Sequence, residues 1–155
     1  MAGNAKLATL QQRLDATFGR VAAFRPDDFE LLSDFARYLC VLVSGYLESA
    51  IAELALEHCR HRCSPTVLSY VDAQLGRFQN PNAERVLQLL GAFDPLWRTD
   101  LETFISGERK DAIDSVVALR NKIAHGESVG ITYRRVKDYY TRTKEVIDFL
   151  SEKLA

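Results

Sequence analysis

Apolar residues in this chain recur at three- and four-residue spacing over most of its length. Between residues 27 and 59 they fall at positions 32, 35, 36, 39, 42, 43, 46, 47, 50, 51 and 54 with no proline, which predicts one long helix to about Cys59. Its middle is apolar on most sides, as suits the central helix of a bundle. Ahead of it, "RPDDFE" offers Asp27 as N-cap with Glu30 three residues on, the spacing of a capping box. An amphipathic opening helix precedes this, running to about Phe24. At the far end Val136, Tyr139, Tyr140, Thr143, Val146, Ile147, Leu150 and Leu154 mark a last long helix. Before the loop "GESVGIT" lies another, about 108–125, set off by Gly107 and ended by Gly126, which suits a left-handed terminus.

The middle of the chain is broken by "CSPTVL", "QNPNAE" and "FDPLWR", where Pro65, Pro81 and Pro95 each follow a good capping residue and read as first-turn prolines of three short helices. No strand-like alternation of useful length, internal repeat or low-complexity tract interrupts the pattern. The predicted fold is all-α: an up-and-down bundle of four to five core helices with short extra helices inserted in the middle. Ser44, Gly45 and Ala52 form a small-residue strip on the long helix, where another helix can approach closely.

With 155 residues, 47% hydrophobic and 26% charged, the chain suits one compact domain over 1–155. The first twenty residues lack the unbroken apolar stretch of a signal peptide, and the strongest apolar run, Tyr38 to Leu47, is too short to span a bilayer. A soluble, cytoplasmic protein with no membrane partner is expected. Three cysteines in no regular framework fit a reducing compartment.

A formal net charge of -1 argues against an indiscriminate nucleic-acid binder, but the charge is unevenly spread. Residues 27–57 hold seven acids against one base, whereas from Arg120 to Lys144 seven bases (Arg120, Lys122, Arg134, Arg135, Lys137, Arg142 and Lys144) face Glu127 and Asp138. That surplus either attracts a polyanion or is a solvated face balancing an acidic neighbour. Lys122, Arg134 and Arg135 are the candidate residues for such a polyanion contact.

Three constellations carry candidate chemistry. In "EHCRHRC" His58, Cys59, His61 and Cys63 are the right mix for zinc, but only the two cysteines share a helical face, which favours a basic helix C-terminus over a metal site. Glu48 lies beside the small-residue strip and either pairs with a buried cation, Arg120 being the first candidate, or reaches solvent. The third is "SVVALRNKIAHGES". Here Ile113, Val116, Val117, Arg120 and Ala124 fall on one stripe, so a permanent charge sits among apolar positions. Asn121 and His125 share a face, while Arg120 points about 140° from His125 on an ideal helix. Convergence of the two needs a loosened helix end, a curled arginine or a second copy of the helix. A structural arginine paired with a glutamate, beside a histidine at a helix end, is the plainer reading of the same residues.

Arg120-Asn121-Lys122-Ile123-Ala124-His125 resembles the R-x4-6-H signature of the HEPN superfamily, in the form with a polar residue directly after the arginine. The order of elements around it, with "SGYLESAIAEL" upstream and the broken middle, is most similar to the RiboL-PSP-HEPN branch over nearly the whole chain. The resemblance implies a metal-independent endoribonuclease with no cofactor, acting as a homodimer whose two motifs meet in one composite cleft. Carried over by position, Arg120 and His125 match the two defining residues and Asn121 the usual polar third; Glu48, the candidate partner of Arg120, is a candidate supporting residue on its own placement and not by this match. Such domains often serve as toxins with an antitoxin partner or in phage defence, and others have lost activity and only bind. The rival expectation is therefore a catalytically inactive helical binding and dimerisation module.

The implied chemistry is physically coherent. RNA carries its own nucleophile, the 2′-OH, so cleavage needs proton transfer and charge stabilisation rather than a metal-generated hydroxide. An imidazole exchanges protons near neutral pH, and a guanidinium fork can hold two phosphate oxygens as negative charge builds.

Overall fold

The computed structural model describes residues 2–24 and 27–155 and is all-α, with seven helices among them. These are α1 (Ala2–Ala23), α2 (Phe29–Arg60), α3 (Pro65–Leu75), α4 (Ala83–Phe93), α5 (Pro95–Ile105), α6 (Glu108–Ala124) and α7 (Tyr133–Lys153). The up-and-down bundle expected from the apolar spacing is present. α2 packs against α1, α6 and α7, and α6 and α7 pack on each other. α3 leans on α2, and α4 and α5 pair with one another at the side.

The core follows the sequence pattern closely. Leu39, Val43, Leu47 and Ala50 of α2 are wholly buried against Phe18, Val116, Val146 and Ile147 from the three neighbouring helices. By length and composition α2 could cross a bilayer, yet most of its apolar stretch lies inside the bundle, the position of a core helix. Phe18 stacks on Tyr140 with ring centroids 4.7 Å apart, and Tyr46 meets Tyr140 edge-on. The Tyr140 hydroxyl donates to Asp15 Oδ1 at 2.6 Å, which binds α7 to α1. Burial, then this hydrogen bond and the charge of Asp15, push the Tyr140 hydroxyl far above its ordinary pKa, so it stays a donor.

Several boundaries depart from expectation by a residue or two, each for a local reason. Asp28, not Asp27, caps α2, accepting from the Glu30 N–H at 2.8 Å. Ser64 and Asp94 cap α3 and α5 with Pro65 and Pro95 in the first turn, as the sequence suggests. Pro81 does not open α4; Asn82 caps that helix, and Asn80, with φ of 46°, turns the chain before it. The small-residue strip also divides. Ser44 is buried while Gly45 is exposed, and a Cβ at Gly45 would meet nothing within 4 Å, so no helix among the described residues packs onto it.

Candidate functional site

α6 positions the motif. Ile113, Val116 and Val117 are buried against the core, and one turn later Arg120 is half-buried where the bundle opens to solvent. The apolar stripe therefore stops short of its predicted end: Ala124 is exposed, and Leu119 and Ile123 are the residues of the last turns that pack on the core. The helix end is fixed by two backbone hydrogen bonds, Gly126 N–H to Ile123 O at 3.1 Å and Glu127 N–H to Lys122 O at 3.0 Å. This pair is the Schellman arrangement, and it needs the left-handed φ of 74° that Gly126 supplies. His125 is thereby held at the C-cap, its backbone N–H bonded to Asn121 O and Lys122 O.

The loop beyond is fixed as well. Arg37 Nη1 donates to Val129 O at 2.9 Å, and Val129 and Ile131 are buried, so the segment between His125 and α7 is tied to α2 at alternate residues. Arg37 is the lone base of the acidic segment 27–57, and that isolation was the one signal in the sequence that could have marked it. It is also paired with Asp34 one turn earlier.

The side chains of the motif itself are largely uncommitted. Arg120 Nη1 reaches Asn121 Oδ1 at 3.4 Å and no carboxylate within 4 Å among the described residues, and the exposed His125 ring makes no hydrogen bond among them. Arg120 and Asn121 are thus brought together by the fold, whereas no bond joins either side chain to His125. Asn121 also faces a cleft of about 270 Å³ between α6 and the start of α4, walled by Asn82, Lys110 and Asp114.

The suspected Glu48–Arg120 pair does not form within the chain. Glu48 Oε2 instead accepts the Asn80 N–H at 2.7 Å, holding the left-handed turn that leads into α4. The cause is placement: Glu48 lies on the edge of α2 that meets this turn, a contact between segments 32 residues apart that spacing on one helix cannot reveal.

The basic stretch divides too. Arg142 is bound to Glu108 at 2.6 Å and Glu145 at 3.3 Å, Lys144 lies 3.7 Å from Asp15 and over the Tyr140 ring, and Lys137 lies over Phe18. Lys122, Arg134 and Arg135 are exposed and have no carboxylate partner among the described residues. The cations nearest the motif in sequence are thus the ones left for an anion.

At the other end of α2 the Cys/His run is spread over different surroundings. His58 Nδ1 lies 3.0 Å from Leu154 O, with its ring edge-on to Phe93 and Trp97. His61 is exposed beside Glu57, Cys59 is buried and Cys63 half-buried. Among the described residues no three such side chains are grouped to hold a metal ion. Burial, with the neighbouring Cys63, raises the Cys59 thiol pKa, and burial alone pushes Cys40 up to about 11, so both stay protonated near neutral pH.

Neither a curated protein nor a solved structure matches the chain. The family RiboL-PSP-HEPN does, over residues 8–155, from the first turns of α1 through every other helix. The chain belongs to the RiboL-PSP-HEPN family, and that membership supports a ribonuclease-like function in general terms.

Proposed function

We propose that the protein is a metal-independent endoribonuclease that works as a homodimer, with Arg120, Asn121 and His125 as its catalytic residues. The reading takes 1–155 as one cytoplasmic domain, and a toxin or phage-defence role with an antitoxin partner would suit it. The observation that carries the proposal is a half-buried arginine and an exposed histidine, neither bound to a carboxylate or to each other, at a helix end fixed by Gly126.

His125 takes the proton of the 2′-OH, whose oxygen attacks the phosphorus as the bond to the 5′-oxygen breaks, and the departing 5′-oxygen takes a proton from water, to which His125 later returns its own. Arg120 holds two non-bridging oxygens, more strongly as charge accumulates on them. Asn121, already bonded to Arg120, orients its fork. Two features favour a second copy. Arg120 and His125 point about 140° apart on one helix, and a two-fold axis supplies each with its complement. The face of α2 bearing Tyr38, 55% exposed, and Gly45 is uncovered in the single chain.

The test is the chemistry of the ends. In EDTA the protein should cut an unstructured RNA to 2′,3′-cyclic phosphate and 5′-hydroxyl ends, and a 2′-deoxy residue at the cut position should resist. Products with 5′-phosphates, or cleavage lost in EDTA and restored by a divalent ion, would overturn the roles given to both residues.

The cation pattern gives a further expected result. Arg134→Glu with Arg135→Glu should weaken RNA binding and reduce its salt slope by about one for each phosphate left without its cation, while helicity is kept. Arg142→Glu, by contrast, should lower thermal stability, since it places a third carboxylate beside Glu108 and Glu145. Unchanged salt dependence in the first variant would mean that Arg134 and Arg135 are merely solvated.

A further inference from the structure

One groove beside the motif loop is not used by the chemistry above. It has a volume of about 390 Å³ and is walled by Phe29 and Leu32 of α2 and by Gly130, Ile131 and Tyr133. Phe29 is 85% exposed, the most exposed of the large apolar side chains among the described residues, at the first position of the core helix. A ring so placed contributes nothing to the core of this chain. The opposite wall is firm, since Arg37 binds Val129 O and the buried Val129 and Ile131 flank Gly130. Gly130 leaves the space open: a Cβ there would meet nothing within 4 Å.

We infer that this groove is a subsite for one unpaired nucleobase of the RNA strand, stacked on Phe29, so that the enzyme selects single-stranded RNA. This rests on the ribonuclease reading above. Three observations favour a base over another occupant. First, Gly130 is five residues beyond His125 and so lies no more than about 17 Å away, a span of a few nucleotides. Secondly, the rim is electrically two-sided. Arg134 and Arg135 stand unpaired just after Tyr133, whereas Asp27, Asp28 and Glu30 flank Phe29, with the Asp28 carboxylate held by the Glu30 N–H. A phosphate backbone is drawn to the α7 rim and repelled from the α2 rim, which leaves the base to point inward across the groove. Thirdly, the walls offer an aromatic face and aliphatic sides, a sequence-tolerant platform for a π-face, and a base already stacked in a duplex cannot enter it.

The experiment uses two variants, Phe29→Ala, which removes the platform, and Gly130→Leu, which fills the groove from the other side without a left-handed backbone to strain. Each is made in the wild-type chain and in the His125→Ala chain. In the His125→Ala background, binding of a short unstructured oligoribonucleotide should weaken about tenfold, the scale of one base stacked on an aromatic ring, while binding of its blunt duplex stays unchanged. In the wild-type background kcat/KM on the unstructured RNA should fall by a similar factor with unaltered product ends. A 2-aminopurine placed next to the cut should be quenched on binding and released from quenching by either variant.

If wild type cuts RNA and both variants bind and cut the single strand as wild type does, the groove is not a base subsite, and the ribonuclease reading survives. Duplex and single strand weakened alike would overturn it as well, by showing an effect indifferent to base pairing. A change in self-association without a change in RNA affinity would assign the groove to a second copy instead. If the wild-type chain cuts no RNA and the His125→Ala chain binds none, both readings fall together.

Discussion

His125→Ala should remove RNA cleavage and leave the folded chain nearly as stable as before. The ring is exposed and makes no hydrogen bond among the described residues, so nothing in the fold depends on it. What ends α6 is backbone: the His125 N–H bonded to Asn121 O, and the Gly126 and Glu127 N–H groups bonded to Ile123 O and Lys122 O. An alanine keeps all of these, and its cost should lie within about 0.5 kcal/mol, the range of surface changes. The effect on rate should be far larger. A positioned acid–base group contributes about 10²- to 10⁴-fold, equivalent to about 2.7–5.4 kcal/mol of barrier, and in a homodimer the substitution removes the base from both half-sites at once. Single-turnover cleavage beside thermal unfolding separates the two effects. Cleavage retained at the wild-type rate would dismiss His125 as acid or base, and cleavage lost together with several degrees of melting temperature would point to a structural histidine.

The helices were legible because their signal is local. The three- and four-residue spacing of α2 and α7, the caps at Ser64 and Asp94, and the glycine that ends α6 are each decided by neighbours a few residues away. The errors share an opposite character. Pro81 reads as a helix start until Asn80 is seen turned through a positive φ and held by Glu48, 32 residues upstream. Glu48 in turn looks like a partner for Arg120 as long as only its own helix is considered. Both arise from one contact between distant segments, which no periodicity encodes. The site was legible in the same uneven way. The spacing of Arg120, Asn121 and His125 on α6 follows from helical geometry, but the support beneath them, Arg37 on Val129 O, spans 92 residues. Likewise the basic stretch shows seven charges in sequence and only a few unpaired ones in space, because Arg142 and Lys144 meet acids from α6 and α1.

If the cleft is shared between two copies, two inactive proteins should repair each other. Arg120→Ala and His125→Ala chains, each unable to cut RNA alone, should regain cleavage when mixed and allowed to exchange. In a mixed dimer the arginine of one chain meets the histidine of the other in one half-site, and the second half-site lacks both. With random exchange about half of the dimers are mixed and each carries one intact half-site of two, so recovery should approach about a quarter of the wild-type rate. The argument depends on the angle of about 140° between the two positions on α6, which keeps one chain from presenting both groups to the same phosphate. It is helped by what the structure leaves unbound. Arg120 has no carboxylate partner among the described residues of its own chain, so its removal exposes no buried anion there, and Arg120→Ala should fold. Mass spectrometry of the mixture, with one chain isotopically labelled, shows whether exchange has occurred. Mixed dimers that form and cut nothing would sink the shared cleft. Arg120→Ala cutting RNA by itself would remove the arginine from the chemistry and leave His125 to be explained alone.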